Sequence, residues 1–111
     1  IGGEILVPKI PSYKILDLAK AICPNCSIKI TGLREGEKIN EELINNNESI
    51  STFSLNRYFV VLPNDKKSQN KILKNFKNYK KVNSKFNFVS DQNKFLSVNE
   101  IKNILKKNKF L

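Results

Sequence analysis

The chain has 111 residues, carries 20 Lys/Arg against 10 Asp/Glu, and contains no His, no Met and no Trp. That length suits one small domain with a modest core and is too short for a two-domain enzyme. No apolar run approaches the roughly 20 residues of a membrane-spanning helix, and no signal peptide is visible. We therefore expect a cytoplasmic protein without a membrane partner. The opening Ile1-Gly2-Gly3, without a Met, suggests a piece of a longer protein.

The charge is concentrated in the second half of the chain. Residues 1–56 carry six Lys/Arg against seven acids, whereas residues 57–111 carry fourteen Lys/Arg against three acids. A basic half can bind nucleic acid. Here, however, lysine far outnumbers arginine, asparagine and isoleucine accompany it, and no Gly-spaced aromatic motif is present. We therefore interpret the basic half as a solvated surface and disfavour a nucleic-acid partner.

A strand and a helix open the predicted order of elements. Glu4–Pro8 is predicted to be a short apolar strand closed by proline. Ser12 is the candidate N-cap of a helix over about residues 13–22, which Pro24 ends. Within that helix, apolar side chains at i, i+3, i+4 and i+7 predict one stripe facing a core, formed by Ile15, Leu18, Ala19 and Ile22.

Cys23 and Cys26 form a Cys-x-x-Cys motif directly after this helix. The spacing is that of a redox pair or of half a zinc site. Zinc would need two further ligands, and the chain has no His and no other Cys, so no metal is expected. A redox pair normally occupies a helix N-terminus, and this one follows a C-terminal end. We interpret the cysteines as small residues of a helix-to-strand turn in a reducing compartment, with a redox pair as the alternative.

The stretch Thr31–Lys38 is the candidate ligand site. It lies between a strand predicted at Ser27–Thr31 and a short helix predicted at Ile39–Ile44, for which Asn45–Asn47 would be the exit. Arg34 offers a planar, permanently charged fork for phosphate oxygens. Glu37, three residues on, can accept hydrogen bonds from sugar hydroxyls. The alternative is an exposed Arg34–Glu37 ion pair worth under about 1 kcal/mol.

Short strands and two helices are predicted for the second half. Strands are expected at Ser51–Leu55, at Arg57–Pro63 and around Phe86–Val89. Residues 64–69 are expected to be a polar linker that opens a Lys/Asn-rich segment, residues 64–85, whose helical spacing is carried by Ile72, Leu73, Phe76 and Tyr79. Ser97 and Glu100 fit a capping box that begins a C-terminal helical tail over residues 97–107.

The pattern as a whole is a mixed α/β (α+β) fold in a single domain over residues 1–111. It contains no Gly-x-Gly-x-x-Gly, so no dinucleotide site is predicted here. None of the three tyrosines is followed four residues later by a lysine, so a Tyr-x-x-x-Lys pair is absent too. No catalytic residue is therefore assigned to the chain.

Several motifs in order carry a family resemblance. They are Gly2–Ser12 (GGEILVPKIPS), Asp17–Ala21 (DLAKA), Gly32–Lys38 (GLREGEK), Tyr58–Pro63 (YFVVLP), and the tail from Phe86 through Ser97 to Glu100. With these motifs the chain resembles the C-terminal region of inverting UDP-N-acetylglucosamine 4,6-dehydratases. These are extended short-chain dehydrogenase/reductases of polysaccharide and flagellin-glycan biosynthesis. The resemblance covers nearly the whole chain and is weakest over residues 64–85.

The resemblance implies a small substrate-binding subdomain without its Rossmann domain. NAD(P) and the catalytic Asp, Lys and Tyr would lie on the missing N-terminal domain, so the fragment would bind no cofactor and be inert alone. The intact enzyme, expected to be a homo-oligomer, would make a UDP-4-keto-6-deoxy sugar.

For the UDP-sugar substrate, the resemblance makes Arg34 the expected diphosphate ligand and Glu37 the expected ribose-hydroxyl acceptor. Glu35 stands where relatives often carry Pro. Lys38 is a further candidate, or pairs with Glu41 or Glu42, and Lys9 is another candidate whose alternative is a solvated lysine.

A second hypothesis is a stand-alone basic module that binds nucleic acid or a nucleotide sugar without catalysis, through residues 66–85 and 102–109. Steep salt dependence of binding to random RNA or DNA would favour the nucleic-acid form of this hypothesis.

Overall fold

The computed structural model describes residues 2–111, and the fold is a mixture of short strands and helices. The chain forms two compact units. The first, here called the sheet unit, contains the described residues up to Ile10 together with Glu42–Val89. The second, the helix unit, contains Pro11–Glu41 together with Ser90–Leu111. Each unit has its own packing and is described in turn.

The sheet unit is built on a four-stranded antiparallel sheet in the order β1-β4-β3-β5. Its strands are β1 (Ile5–Pro8), β3 (Thr52–Ser54), β4 (Tyr58–Val61) and β5 (Lys80–Lys81). The aromatic and β-branched run of β4 suits the centre of a sheet, and β4 pairs with both β1 and β3. The strands predicted at Glu4–Pro8, Ser51–Leu55 and Arg57–Pro63 are therefore confirmed.

One face of this sheet packs on helix α3 (Lys66–Leu73). Val60 and Leu62 form the buried cluster with Ile72 and Leu73 of that helix, and Phe53, Leu55 and Phe76 pack around it. Asp65 is the N-cap of α3 and accepts hydrogen bonds from the backbone N–H groups of Lys67 and Ser68. The prediction of a polar linker over residues 64–69 is wrong, because this Asp cap begins the helix inside it. The helix also ends earlier than predicted, at Leu73.

The sheet unit also contains a two-stranded ribbon of β2 (Glu42–Ile44) and β6 (Phe88–Val89), followed after β2 by the short helix α2 (Asn46–Ser49). The extended piece predicted around Phe86–Val89 is confirmed. The helix predicted at Ile39–Ile44 is wrong, because Glu42–Ile44 pairs with a strand more than forty residues away, which no local pattern reveals. Asn45 does not end a helix: it forms a capping box with Glu48 and begins α2.

The helix unit packs α1 (Ile15–Ile22) on α4 (Val98–Lys107), and its buried apolar side chains are Ala21 and Ile101. The capping box predicted at Ser97 and Glu100 is confirmed. Ser12 is not the cap of α1, which begins after Lys14 without a side-chain cap. The backbone of Ser12 instead exchanges hydrogen bonds with Lys94 and Leu96, so its N–H and C=O serve a parallel bridge.

Two predictions for the first 31 residues of the chain are wrong. The stripe predicted on α1 does not face a core throughout, since Ile15 and Ile22 are exposed and the buried residue is Ala21. The strand predicted at Ser27–Thr31 does not form: the segment has no strand pairing, and Ile30 is 80% exposed. Within residues 2–111, no helix is long and apolar enough to span a membrane.

Candidate functional site

The Arg34 loop is a tight turn of four residues, Arg34-Glu35-Gly36-Glu37. The Glu37 N–H donates to the Arg34 carbonyl oxygen over 3.1 Å, which closes the turn. Gly36 has φ +83°, while Glu35 is not among the residues with positive φ. Negative φ at the second position and positive φ at the third define a type II turn, for which Gly is preferred at the third position. The sequence Glu-Gly thus fixes the turn at the centre of the predicted site.

Glu37 also braces this turn with its side chain. Its Oε2 accepts a 2.9 Å hydrogen bond from the Arg34 backbone N–H, so the turn is closed from both of its ends. Among the described residues, the Arg34 guanidinium has no ion-pair or hydrogen-bond partner, and the exposed Arg34–Glu37 ion pair considered above does not form. The guanidinium is therefore exposed to solvent and available to an anion, and Glu37 Oε1 remains available as an acceptor.

The turn sits in a long irregular segment, residues 24–41, in which every residue is exposed. Cys23 and Cys26 are joined by a disulfide at the start of this segment. At its end, Glu41 N–H donates to Ser90 Oγ over 2.9 Å, and Ser90 N–H donates to the Glu41 carbonyl oxygen over 2.8 Å. The segment that carries Arg34 is thus tied to the helix unit at both ends.

The disulfide corrects the interpretation of the two cysteines. Cys23 is the C-cap of α1, and the Cys26 N–H donates to the Cys23 carbonyl oxygen over 3.3 Å. This turn brings the two Cα atoms to 5.4 Å, within the range that a disulfide spans. The two cysteines are therefore bonded to each other and are not merely small residues of a turn. The Cys-x-x-Cys spacing and the proline inside it were the sequence signals for a turn that joins the two cysteines.

The two further candidates, Lys38 and Lys9, have different surroundings. Lys38 follows the turn directly, is exposed, and makes no ion pair with Glu41 or Glu42 among the described residues. Lys9 lies in the sheet unit, where its Nζ donates to Ser54 Oγ and to the Leu55 carbonyl oxygen, each over 2.6 Å. The same ammonium lies 4.8 Å from the centre of the Phe59 ring. Lys9 is therefore an exposed lysine whose ammonium is tied to the β3–β4 hairpin.

Lys81 is a cation that the sequence analysis did not single out. Its Nζ donates to the carbonyl oxygens of Ser49 and Ile50, with a longer contact to that of Thr52. The ammonium also lies 5.1 Å from the centre of the Phe53 ring. Partial burial lowers the pKa of Lys81 below its ordinary value. This side chain joins the end of α2 to the edge strand β5, and its role is structural.

Comparison with known proteins identifies the family of the chain. A family model described as polysaccharide biosynthesis protein matches residues 1–63, more than half of the chain and the whole of the Arg34 loop. The chain belongs to the polysaccharide biosynthesis protein family. This confirms the family resemblance carried by its motifs.

Two curated relatives of the chain are named UDP-N-acetylglucosamine 4,6-dehydratase (inverting). One, from Campylobacter jejuni serotype O:2, is 42% identical over 96 residues, and the other, from serotype O:23/36, is 41% identical over 96 residues. Each alignment covers 83% of this chain and 29% of the relative. The part of the chain that each alignment leaves out is shorter than the stretch between Arg34 and either end of the chain. The Arg34 turn therefore lies inside the aligned region. The chain spans under a third of the length of these relatives.

A solved structure shares the fold of the polysaccharide biosynthesis chain. The X-ray structure of Pen from Bacillus thuringiensis superposes with a TM-score of 0.78 at 28% sequence identity. The match covers 99% of this chain and 33% of Pen. The match therefore includes residues of both units, and the chain spans about a third of the length of Pen.

The described residues offer groups that can bind a ligand. Among residues 2–111, no group of three or more His, Cys, Asp or Glu side chains is arranged to hold a metal ion. Arg34 can bind an anion and Glu37 can accept a hydrogen bond, on neighbouring positions of one rigid turn. Such a pair recognises a ligand that carries both negative charge and hydroxyl groups.

Proposed function

We propose that this chain is the C-terminal UDP-sugar-binding part of an NAD(P)-dependent UDP-N-acetylglucosamine 4,6-dehydratase that inverts C5. The product would be a UDP-4-keto-6-deoxy sugar for polysaccharide or flagellin glycans. The observation that carries the proposal is the 42% identity to a dehydratase of that name, over a region that includes the Arg34 turn. The chain alone would bind and not catalyse.

Arg34 is the proposed diphosphate ligand. Its guanidinium is exposed, permanently charged and unpaired among the described residues, so binding a phosphate breaks no internal ion pair. A charge-assisted hydrogen bond of this kind contributes about 1.5–3 kcal/mol. The turn already fixes the Arg34 backbone, so binding has to order only the side chain.

Glu37 is the proposed ribose-hydroxyl acceptor, and it acts in two ways. One carboxylate oxygen holds the Arg34 N–H, and the other is available to a hydroxyl on the ligand. Acceptor and cation are thereby held three residues apart on one turn. Glu35 adds a negative charge between them, and its repulsion of the diphosphate lowers affinity relative to a Pro at that position.

The NAD(P) cofactor does not fit the residues of this chain. The glycines are Gly2, Gly3, Gly32 and Gly36, and none belongs to a Gly-x-Gly-x-x-Gly turn before a helix. We therefore assign the cofactor to the part of the relatives that this chain does not span. The 111 residues would contribute ligand binding and orientation.

The exposed segment around Arg34 supports a partner domain. Four large apolar side chains of this segment are at least 47% exposed, namely Ile28, Ile30, Leu33 and Ile39. Apolar side chains concentrated in so short a segment indicate a contact surface. We propose that the remainder of the enzyme covers them and completes the UDP-sugar site from the other side.

The class of reaction is tested by product analysis. The intact polypeptide that contains this sequence, incubated with UDP-N-acetylglucosamine and NAD(P), is expected to yield a UDP-4-keto-6-deoxy sugar by mass spectrometry. The 111-residue chain alone is expected to yield none. Turnover by the chain alone, or no product from the intact polypeptide, would contradict the proposal.

The two roles of Glu37 are separated by two variants. Glu37→Gln removes the charge but keeps one acceptor oxygen, whose two lone pairs can serve the Arg34 N–H and a hydroxyl, and it is expected to raise KM for UDP-N-acetylglucosamine only a few fold. Glu37→Ala removes both acceptors and is expected to raise it about 10-fold or more. Equal effects of the two variants would show that charge alone matters and would exclude the hydroxyl assignment.

A further inference from the structure

The Cys23–Cys26 disulfide closes a ring of four residues at the C-terminal end of α1. Cys26, Pro24 and Asn25 are exposed and Cys23 is half-buried. The bond lies outside the Arg34 turn, and no step of the proposed function uses it. A disulfide in this position is either a structural staple or a site of redox chemistry.

The size of the ring argues against a staple. A disulfide stabilises a fold chiefly by restricting the unfolded chain, and that effect decreases as the closed loop becomes shorter. Four residues are among the shortest loops that a disulfide can close. The packing of α1 on α4 uses Ala21, which precedes the ring in α1, and Ile101, which lies in α4. Opening the ring therefore leaves the core of the helix unit in place.

The exposure of the ring argues for redox chemistry. Exchange requires that an attacking thiolate reach one of the two sulfurs, and exposed disulfides are the labile ones in proteins. Every residue from Pro24 to Glu41 is exposed, so nothing within the helix unit covers Cys26. In the helix unit by itself, a small dithiol can therefore reach Cys26 directly.

We propose that Cys23–Cys26 is a reversible thiol–disulfide site whose co-substrates are dithiols. A thiolate of the dithiol attacks Sγ of the exposed Cys26, and the S–S bond breaks with its electron pair leaving on Sγ of Cys23, which takes up a proton. The second thiol of the dithiol then attacks the dithiol sulfur of the mixed disulfide and releases Cys26. The protein gains two electrons and two protons, and the dithiol becomes a disulfide.

The position of the pair defines its direction of use. It follows the carbonyl end of α1, where the helix dipole is negative and does not stabilise a thiolate. Redox catalysts of the Cys-x-x-Cys type use the opposite end of a helix, where a thiolate is stabilised. The pair is thus placed as a substrate for reductases and not as a redox catalyst of the Cys-x-x-Cys type.

Reduction acts locally on the Arg34 segment. It removes the anchor at the start of residues 24–41 and leaves the anchor between Glu41 and Ser90 intact. Opening the ring lengthens the unanchored part of the segment by only a few residues, and loop-closure entropy changes slowly with length. The Arg34 turn therefore stays formed. The α1 end and residues 24–28 become more mobile, and the rest of the helix unit does not.

The test is a redox titration of the intact polypeptide that contains this sequence, in which labels are counted on the peptide that carries Cys23 and Cys26. The protein is equilibrated anaerobically with mixtures of reduced and oxidised dithiothreitol. Its free thiols are then labelled with a maleimide, and the labels are counted by mass spectrometry. We expect one reversible transition in which two labels appear together, with far-UV circular dichroism retained in the reduced form. Hydrogen exchange is expected to rise over residues 23–28 on reduction.

Cys23→Ser is the matched control, because its single thiol cannot close the ring. It is expected to take one label at every dithiothreitol ratio, whereas the native chain takes none under oxidising conditions. Two labels on the native chain under oxidising conditions would show that the bond does not form. A bond that opens only in denaturant, or loss of helicity on reduction, would show a structural staple and overturn the proposal.

Discussion

Glu37 performs two tasks with one carboxylate at the residue scale. Its Oε2 fixes the Arg34 backbone, and the turn is closed again by the Glu37 N–H. A residue that resembles a solvated acid in the sequence is therefore part of the scaffold of the proposed site. The Arg34 side chain makes no such contact, and its guanidinium is left for a ligand.

The turn geometry predicts opposite effects for two neighbouring substitutions. Glu35→Pro fits the second position of a type II turn and is expected to stiffen the turn by about 0.4–1 kcal/mol. Gly36→Ala places a Cβ at φ +83°, where space is open but the backbone is strained by about 1–2 kcal/mol. Amide hydrogen exchange at Glu37 measures both, and is expected to slow in the first variant and accelerate in the second. Changes in the same direction would exclude a type II turn.

The contacts of Lys81 predict that its substitution destabilises the fold, whereas substitution of Lys80 on the same strand should not. Lys81→Met leaves the carbonyl oxygens of Ser49 and Ile50 without their ammonium donor and is expected to lower the free energy of unfolding by about 1–3 kcal/mol. Lys80→Met, on the same edge strand without such contacts, is expected to change it by less than about 0.5 kcal/mol. Urea unfolding compares the two, and equal losses would contradict the role assigned to Lys81.

The helix caps carry the pH dependence at the element scale. Hydrogen bonds from the Ser97 backbone N–H lower the pKa of Glu100, and those from the Ser68 hydroxyl and backbone N–H lower the pKa of Asp65. Because these folded-state pKa values lie below the unfolded ones, the caps contribute fully above about pH 4 and lose their contribution as the pH falls through the folded values.

This dependence predicts acid sensitivity that can be removed by substitution. The free energy of unfolding, measured by urea titration from pH 7 to pH 2.5, is expected to be steady at first and to fall below about pH 4. In the double variant Asp65→Asn with Glu100→Gln, the starting stability is lower and the decline is shallower. An unchanged slope in that variant would show that these caps do not contribute.

Elements whose signals are local could be predicted from the sequence. The aromatic run of β4 and the Ser97–Glu100 capping box of α4 can each be recognised from a few consecutive residues. The ribbon strand Glu42–Ile44 could not, because its pairing partner is distant in the chain. Alternating Ile28 and Ile30 predicted a strand, but a strand also needs a neighbour, and none pairs with them within residues 2–111.

The site was predictable to a similar extent. Residue types and spacing pointed to Arg34 and Glu37, and the turn between them follows from Gly36. The brace from Glu37 to the Arg34 N–H depends on rotamer and backbone geometry, which spacing does not fix. The disulfide could not be predicted, because the spacing of Cys23 and Cys26 does not show that the turn after α1 brings their sulfurs within bonding distance.

At the scale of the whole molecule, the basic charge is divided between the two units. Lysines of residues 66–85 belong to the sheet unit, and those of residues 102–109 belong to the helix unit. Counterion release predicts that a true nucleic-acid site would lose affinity steeply with salt. We expect no binding of random RNA or DNA at moderate salt in a fluorescence anisotropy titration. Submicromolar, steeply salt-dependent binding would instead favour the stand-alone module.

The central claim is that the Arg34 guanidinium binds the diphosphate of UDP in the intact enzyme. Isothermal titration of UDP into the intact polypeptide compares Arg34→Ala with Arg57→Ala, since Arg57 is the other arginine of this chain and lies in the sheet unit. We expect Kd to rise about 10- to 100-fold for Arg34→Ala and to stay within about twofold for Arg57→Ala. An unchanged Kd for Arg34→Ala, or equal losses for both variants, would contradict the account.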